Sequence, residues 1–140
     1  MGGGVPIQAG IRFGPNGSGK LYVSLYAHRG DRPQKSTWLR EVPPPTEYDI
    51  FCWADTGDWR DDSGHYWGIR DGGRAALGCR GERLAKFPCC LNPSDPWHGY
   101  PVSPLEDGER AAPPGDFVER WRIAGIINRT IRRRILSRKI

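Results

Sequence analysis

Ile11-Arg12-Phe13-Gly14-Pro15-Asn16-Gly17-Ser18-Gly19-Lys20-Leu21-Tyr22-Val23-Ser24-Leu25-Tyr26 has two readings, and they lead to different folds. Gly14 to Lys20 satisfies G-x-x-x-x-G-K, the loop whose backbone N–H groups and lysine cradle phosphate at a helix N-terminus. That reading needs a strand before the loop, a helix after it, and an α/β sheet. The competing reading is a glycine-rich turn joining two antiparallel strands. The residues favour the second. Leu21 stands where a magnesium-binding Ser or Thr is required, and Leu21 to Tyr26 carries strand formers, not a helical stripe. The stretch therefore predicts a hairpin and an α+β chain.

The rest of the chain is read outward from that hairpin. Residues 1–10 form a glycine-rich lead-in, and a polar stretch runs from His28 to Ser36. Thr37 to Val42 predicts a strand stopped by Pro43-Pro44-Pro45. Tyr48 to Ala54, a short aromatic and apolar run, predicts a central strand. His65 to Arg70 and Arg74 to Leu77 flank Asp71-Gly72-Gly73, a hairpin signal because such turns need positive φ. Glu82 to Leu91 fits a strand or a short helix. Asn92 to Gly115 is rich in proline and aperiodic, and predicts a long loop.

The C-terminal segment differs in character. Asp116 followed by Glu119 suggests a capping box, and Phe117, Val118, Trp121 and Ala124 fall on one helical face. Gly125 fits the left-handed residue that ends this helix. A second helix is predicted from about Asn128. Its apolar ridge is Ile127, Ile131 and Ile135, extended by Leu136 and Ile140. The expected architecture is α+β: a small, mainly antiparallel sheet in an aromatic-rich domain of residues 1–112, a Pro-rich loop, and a basic helical hairpin at 113–140.

Composition sets the outer bounds. The 140 residues include 19 Gly and 13 Pro, but also six Trp, five Tyr and four Phe. A few large rings can close a small core. No stretch approaches the ~18 apolar residues of a membrane span. A coiled coil and a wholly disordered chain are excluded by the same numbers. The first residues lack the basic and apolar regions of a secretory signal, so the cysteines are expected to be reduced and the location cytoplasmic.

The formal charge of +5 is lopsided. Asp116 to Ile140 holds eight Lys or Arg against two acids, and the remainder of the chain is close to neutral. Arginine dominates, and guanidinium suits bidentate phosphate contacts. Two short helices meeting at Gly125 are similar to a helix-turn-helix, whose second helix enters the major groove. Asn128, Arg129, Arg132, Arg133, Arg134, Arg138 and Lys139 are accordingly the candidate nucleic-acid-binding residues. Trp97, His98 and Tyr100, stiffened by neighbouring prolines, are candidate contacts for a protein partner; the same rings could instead cover the sheet.

Other constellations are thinner. Asp55, Asp58, Asp61, Asp62 and His65 could hold a divalent cation for phosphodiester cleavage, but their spacing misses the calcium-loop pattern. Cys79, Cys89, Cys90 and His98 do not have zinc-site spacing. A cysteine nucleophile could be drawn from Cys52, Cys89 or Cys90 with His65 or His98, a pairing available to any such composition. No cofactor or metal is assigned, and no internal repeat is present. The first expectation is a small accessory subunit that binds DNA or RNA through its Arg-rich helices, inside a larger nucleoprotein complex. The alternatives are a metal-dependent nuclease using the Asp55–His65 cluster, and a protein-binding adaptor or inhibitor without nucleic-acid contact. A binding module is favoured over an enzyme.

Overall fold

A computed structural model describes residues 3–30 and 35–140, and within them the chain is α+β. The 31–34 part of the polar stretch and the first two residues of the lead-in lie outside the described residues. Strands β1 (Val5–Pro6), β2 (Gly10–Phe13) and β3 (Tyr22–Leu25) form one three-stranded antiparallel sheet. Helix α1 (Pro44–Thr56) follows. Strands β4 (Tyr66–Gly68), β5 (Leu84–Phe87) and β6 (Tyr100–Val102) form a second antiparallel sheet, again three-stranded. The chain closes with α2 (Pro104–Asp107), α3 (Gly115–Ile123) and α4 (Arg129–Leu136). The single sheet expected from the sequence is thus two sheets. They are stitched by Val23 N–H donating to Trp97 O and Trp97 N–H donating to Leu21 O, both at 2.8 Å.

The second sheet is buried on both faces. Tyr66 on β4 and Ala85 and Phe87 on β5 point into a core shared with Phe13, Tyr22, Ile50, Phe51 and Trp97. Their neighbours Trp67 and Leu84 point into a second core with Phe117, Val118, Trp121, Ile131 and Ile135. Strand alternation sends successive side chains to opposite sides, so one sheet separates two cores. Gly68 lets α1 come close: a Cβ there would lie 2.6 Å from Ile50 Cγ2.

Several expectations are corrected. Tyr48 to Ala54 lies within α1, not in a strand. Pro44 and Pro45 begin that helix, since proline suits a first turn that needs no N–H. Glu47, Ile50, Phe51 and Ala54 are its buried residues, a helical spacing hidden by the dense aromatic and apolar run. Thr37 to Val42 makes only an isolated bridge, Trp38 to Gly78. The turn at Asp71–Gly73 does have positive φ at Asp71, Gly72 and Gly73, but β4 pairs with β5 instead of with Arg74 to Leu77. The ambiguous Glu82 to Leu91 contributes strand β5. The predicted long loop contains β6, α2 and a 3-10 turn at Glu109–Ala111.

At the C-terminal end, α3 starts at Gly115 after Pro114 and uses no side-chain cap, so the Asp116–Glu119 capping box does not form. Gly125 has φ 77°, the left-handed geometry expected of it. Ile127, Ile131, Ile135 and Ile140 are buried, whereas Leu136 is 44% exposed and leaves the ridge.

The buried polar centre is Glu47. Its carboxylate accepts from Tyr22 Oη, from Ser24 Oγ at 2.7 Å and from Arg29 Nη2 at 2.6 Å. Burial pushes its pKa up, opposed by those donors. Arg29 also donates to Val42 O at 2.6 Å, so this one carboxylate ties β3, α1 and the segment before α1 together. Replacing Glu47 by Ala strands a largely buried guanidinium and should cost about 3–5 kcal/mol. Trp97→Ala should cost a similar ~3–5 kcal/mol, because it opens a hole among Phe51, Tyr66 and Tyr22. Both are read from urea denaturation midpoints. A Trp97→Ala protein as stable as the parent would remove that ring from the core.

Candidate nucleic-acid interface

Helix α4 owes its start to Asn128, whose side chain accepts from Ile131 N–H at 2.8 Å. With Ile131 and Ile135 turned inward, helical periodicity sends the intervening arginines outward. Arg129, Arg133, Arg134, Arg138 and Lys139 are exposed, and Arg132 is half-buried. Arg129, Arg132 and Arg133 meet Glu119 and Arg122 of α3 around a shallow depression of about 340 Å³. Among the described residues, Glu119 is the only carboxylate lining it. It accepts from Arg122 Nη2 at 2.6 Å and from Arg132 Nε at 2.7 Å. Those two donors, Arg122 first, pull the Glu119 carboxyl down to about 2. It is therefore ionised throughout the neutral range. Four arginines and one carboxylate line the depression, which leaves it cationic.

The remaining candidates divide. Arg138 lies 3.6 Å from Glu109, an exposed pair that solvent screens. Arg129, Arg133, Arg134 and Lys139 have no carboxylate within 4.0 Å among the described residues. Arg120, on the same α3, is spent on the body: it stacks on Trp59 and Phe117 and donates to the carbonyls of Asp58 and Arg60. Reasoning from sequence missed Arg122 and the role of Glu119. Their i, i+3 spacing was visible; the approach of Arg132 from another helix was not.

The proposed partner anchors do not form one exposed patch. Trp97 is only 6% exposed and belongs to the aromatic core, which corrects its assignment to a contact surface. His98 and Tyr100 are half-buried. Tyr100 stacks on His28, with ring centroids 5.2 Å apart. Proline stiffening serves here to hold rings against the sheet.

Asp55 and Asp61 of the acidic cluster are engaged by the protein's own donors, whereas Asp58 and Asp62 are exposed. Asp55 sits on α1 and accepts from Asn16 Nδ2 and Tyr66 Oη, both at 2.9 Å, and from Ser18 Oγ. Lys20 Nζ lies 3.0 Å from it. The lysine of the G-x-x-x-x-G-K string thus locks the β2–β3 turn onto α1, and β3 follows where a phosphate loop needs a helix. Asp61 accepts from Trp67 Nε1 at 2.9 Å and from the N–H groups of Ser63 and His65. His65 Nδ1 accepts from Cys89 N–H, and burial lowers its pKa. Among the described residues, no group of three or more His, Cys, Asp or Glu is placed to hold a metal ion. Cys79 packs beside Thr37 and Trp38, whereas Cys90 points at the carbonyls of Asp95 and Pro96.

Comparison with known proteins adds nothing to this geometry: no family model, no curated protein and no solved structure matches the chain. No helix is long and apolar enough to cross a membrane among the described residues.

Burial pushes the Asp55 carboxyl up, but hydrogen bonds from Ser18, Lys20, Asn16 and Tyr66 outweigh it and its pKa is lowered. A carboxyl with a lower pKa folded than unfolded stabilises the fold above the unfolded value of about 3.9 and loses that contribution as pH falls through the folded one. Asp55→Asn should therefore cost about 1.5–3 kcal/mol at neutral pH and progressively less under acid. Denaturation midpoints measured against pH test this. A cost that stays constant down to the lowest pH contradicts it.

Proposed function

We propose that this chain is a small nucleic-acid-binding accessory subunit whose phosphate-gripping surface is the outer face of α4 with its neighbour α3. The observation that carries the reading is the arginine depression: Arg122, Arg129, Arg132 and Arg133 line it together with a single carboxylate, Glu119, which pairs with Arg122 and Arg132 alone. A lone ion pair would balance. This arrangement does not, and guanidinium forks are the side chains best shaped for phosphate oxygens. Helix α4 has eight residues, so it is about 12 Å long, comparable to the width of a duplex major groove. Arg134 and Lys139 extend the charge beyond the depression.

The nuclease alternative finds less support, because Asp55, Asp61 and His65 already serve as acceptors for protein donors. The adaptor alternative rests on two exposed apolar residues at the ends of α3 and α4, Ile123 and Leu136. It calls for binding that is insensitive to salt.

Removal of α4 is an unsuitable test, since Ile131, Ile135 and Ile140 are core residues. Surface variants are suitable. A labelled short DNA duplex and a single strand, titrated at several salt concentrations, should both bind with a steep salt dependence. Arg129→Ala with Arg133→Ala should weaken binding about tenfold or more and reduce the slope of log affinity against log salt by about two. Affinity indifferent to salt, or unchanged in the double variant, overturns the reading.

A further inference from the structure

The cationic surface need not end at the helical hairpin. The 3-10 turn Asp71–Gly73, carried by the second sheet after β4, abuts the start of α4. A Cβ on Gly73 would sit 3.0 Å from Ile131 Cγ2, and one on Gly72 would sit 3.4 Å from Ile126 O. Both glycines have positive φ, 63° at Gly72 and 87° at Gly73. The turn thus packs against the beginning of the basic helix, closely at Gly73 on Ile131 and in ordinary contact at Gly72 on Ile126. Glycine is suited to both demands, the left-handed backbone and the close approach.

This contact has a consequence for charge. Arg70 and Arg74 flank the turn, and both are exposed. The Arg74 side chain is 58% exposed and, among the described residues, pairs only with the still more exposed Asp71 at 3.2 Å, a pair of little strength in water. Arg70 has no carboxylate within 4.0 Å among the described residues. Neither residue belongs to the Arg-rich C-terminal segment. The fold brings them there.

We infer that Arg70 and Arg74 form a second phosphate-contacting element beside the N-terminal end of α4, so that the surface is continuous from the turn to the arginine depression. The inference rests on the nucleic-acid reading of α4 and deepens it. Six arginines, Arg70, Arg74, Arg122, Arg129, Arg132 and Arg133, then face two carboxylates, Asp71 and Glu119. A surface split between a turn and a helix suits a ligand that presents several linked phosphates. The ligand class is therefore a polynucleotide backbone; a free phosphate or single nucleotide can occupy only one end.

The test is the same salt titration on the intact chain, with the short duplex as probe. Arg70→Ala and Arg74→Ala should each weaken binding several-fold and lower the salt slope by about one. Arg12→Ala, on β2 of the first sheet, removes the same charge elsewhere and should leave the slope unchanged. Inorganic phosphate, compared with chloride at equal ionic strength, should displace the duplex no better. Melting curves of all variants should coincide, since these side chains are solvent-exposed. If Arg129→Ala with Arg133→Ala loses binding while Arg70→Ala and Arg74→Ala behave like Arg12→Ala, the second element is overturned and the α4 reading survives. If the α4 double variant binds like the parent, the α4 reading falls, and the shared surface with it. Efficient displacement by inorganic phosphate alone overturns the requirement for linked phosphates.

Discussion

The structure depends on the burial of β4–β5–β6 on both of its faces. A three-stranded sheet of such short strands has little stability of its own. It persists because Tyr66, Ala85 and Phe87 on one side and Trp67 and Leu84 on the other are all enclosed. The enclosure is made by large rings. Phe51 and Phe87 meet edge to face at 5.4 Å, and Phe117 and Trp121 at 4.8 Å, geometries that suit the aromatic quadrupole. Fifteen aromatic residues thereby compensate for a chain rich in glycine and proline.

Everything proposed about function follows from that sheet. Helices α3 and α4 are attached as the cover of its second face, through Phe117, Val118, Trp121, Ile131 and Ile135. Because those apolar positions must turn inward, the arginines between them must turn outward. The cationic surface is in this sense a by-product of packing, and Glu119 adds order to it. By accepting from Arg122 on its own helix and Arg132 on the next, it fixes two guanidiniums that would otherwise sample many rotamers.

Three carboxylates, those of Asp55, Glu47 and Asp61, tie the fold together. Asp55 gathers Asn16, Ser18, Lys20 and Tyr66, and so fastens the first hairpin to α1 and to β4. Glu47 does the equivalent inside the core. Asp61 caps its own loop and receives the indole N–H of Trp67. Buried or partly buried carboxylates are tolerated only when such donors surround them.

The α+β class, the β2–β3 hairpin, the left-handed Gly125, the Asn128 start of α4 and the inward isoleucines were legible in the residues, because each depends on local rules of turn chemistry, capping and helical period. The helix at Pro44–Thr56 was not. A dense aromatic and apolar run carries no clear period, and its helical state is set by a proline start and by two sheets packing against it. The pairing of β4 with β5 was equally hidden, since partner choice depends on which faces can be buried together. For the surface, sequence alone determined that positive charge gathers at one end of the chain. Only the tertiary structure decided which guanidiniums are spent on internal partners, as Arg29, Arg80 and Arg120 are, and which face outward, as Arg129 and Arg133 do. The physical reason is that charge is a property of composition, whereas availability depends on which carboxylates, carbonyls and rings the folded chain places within reach.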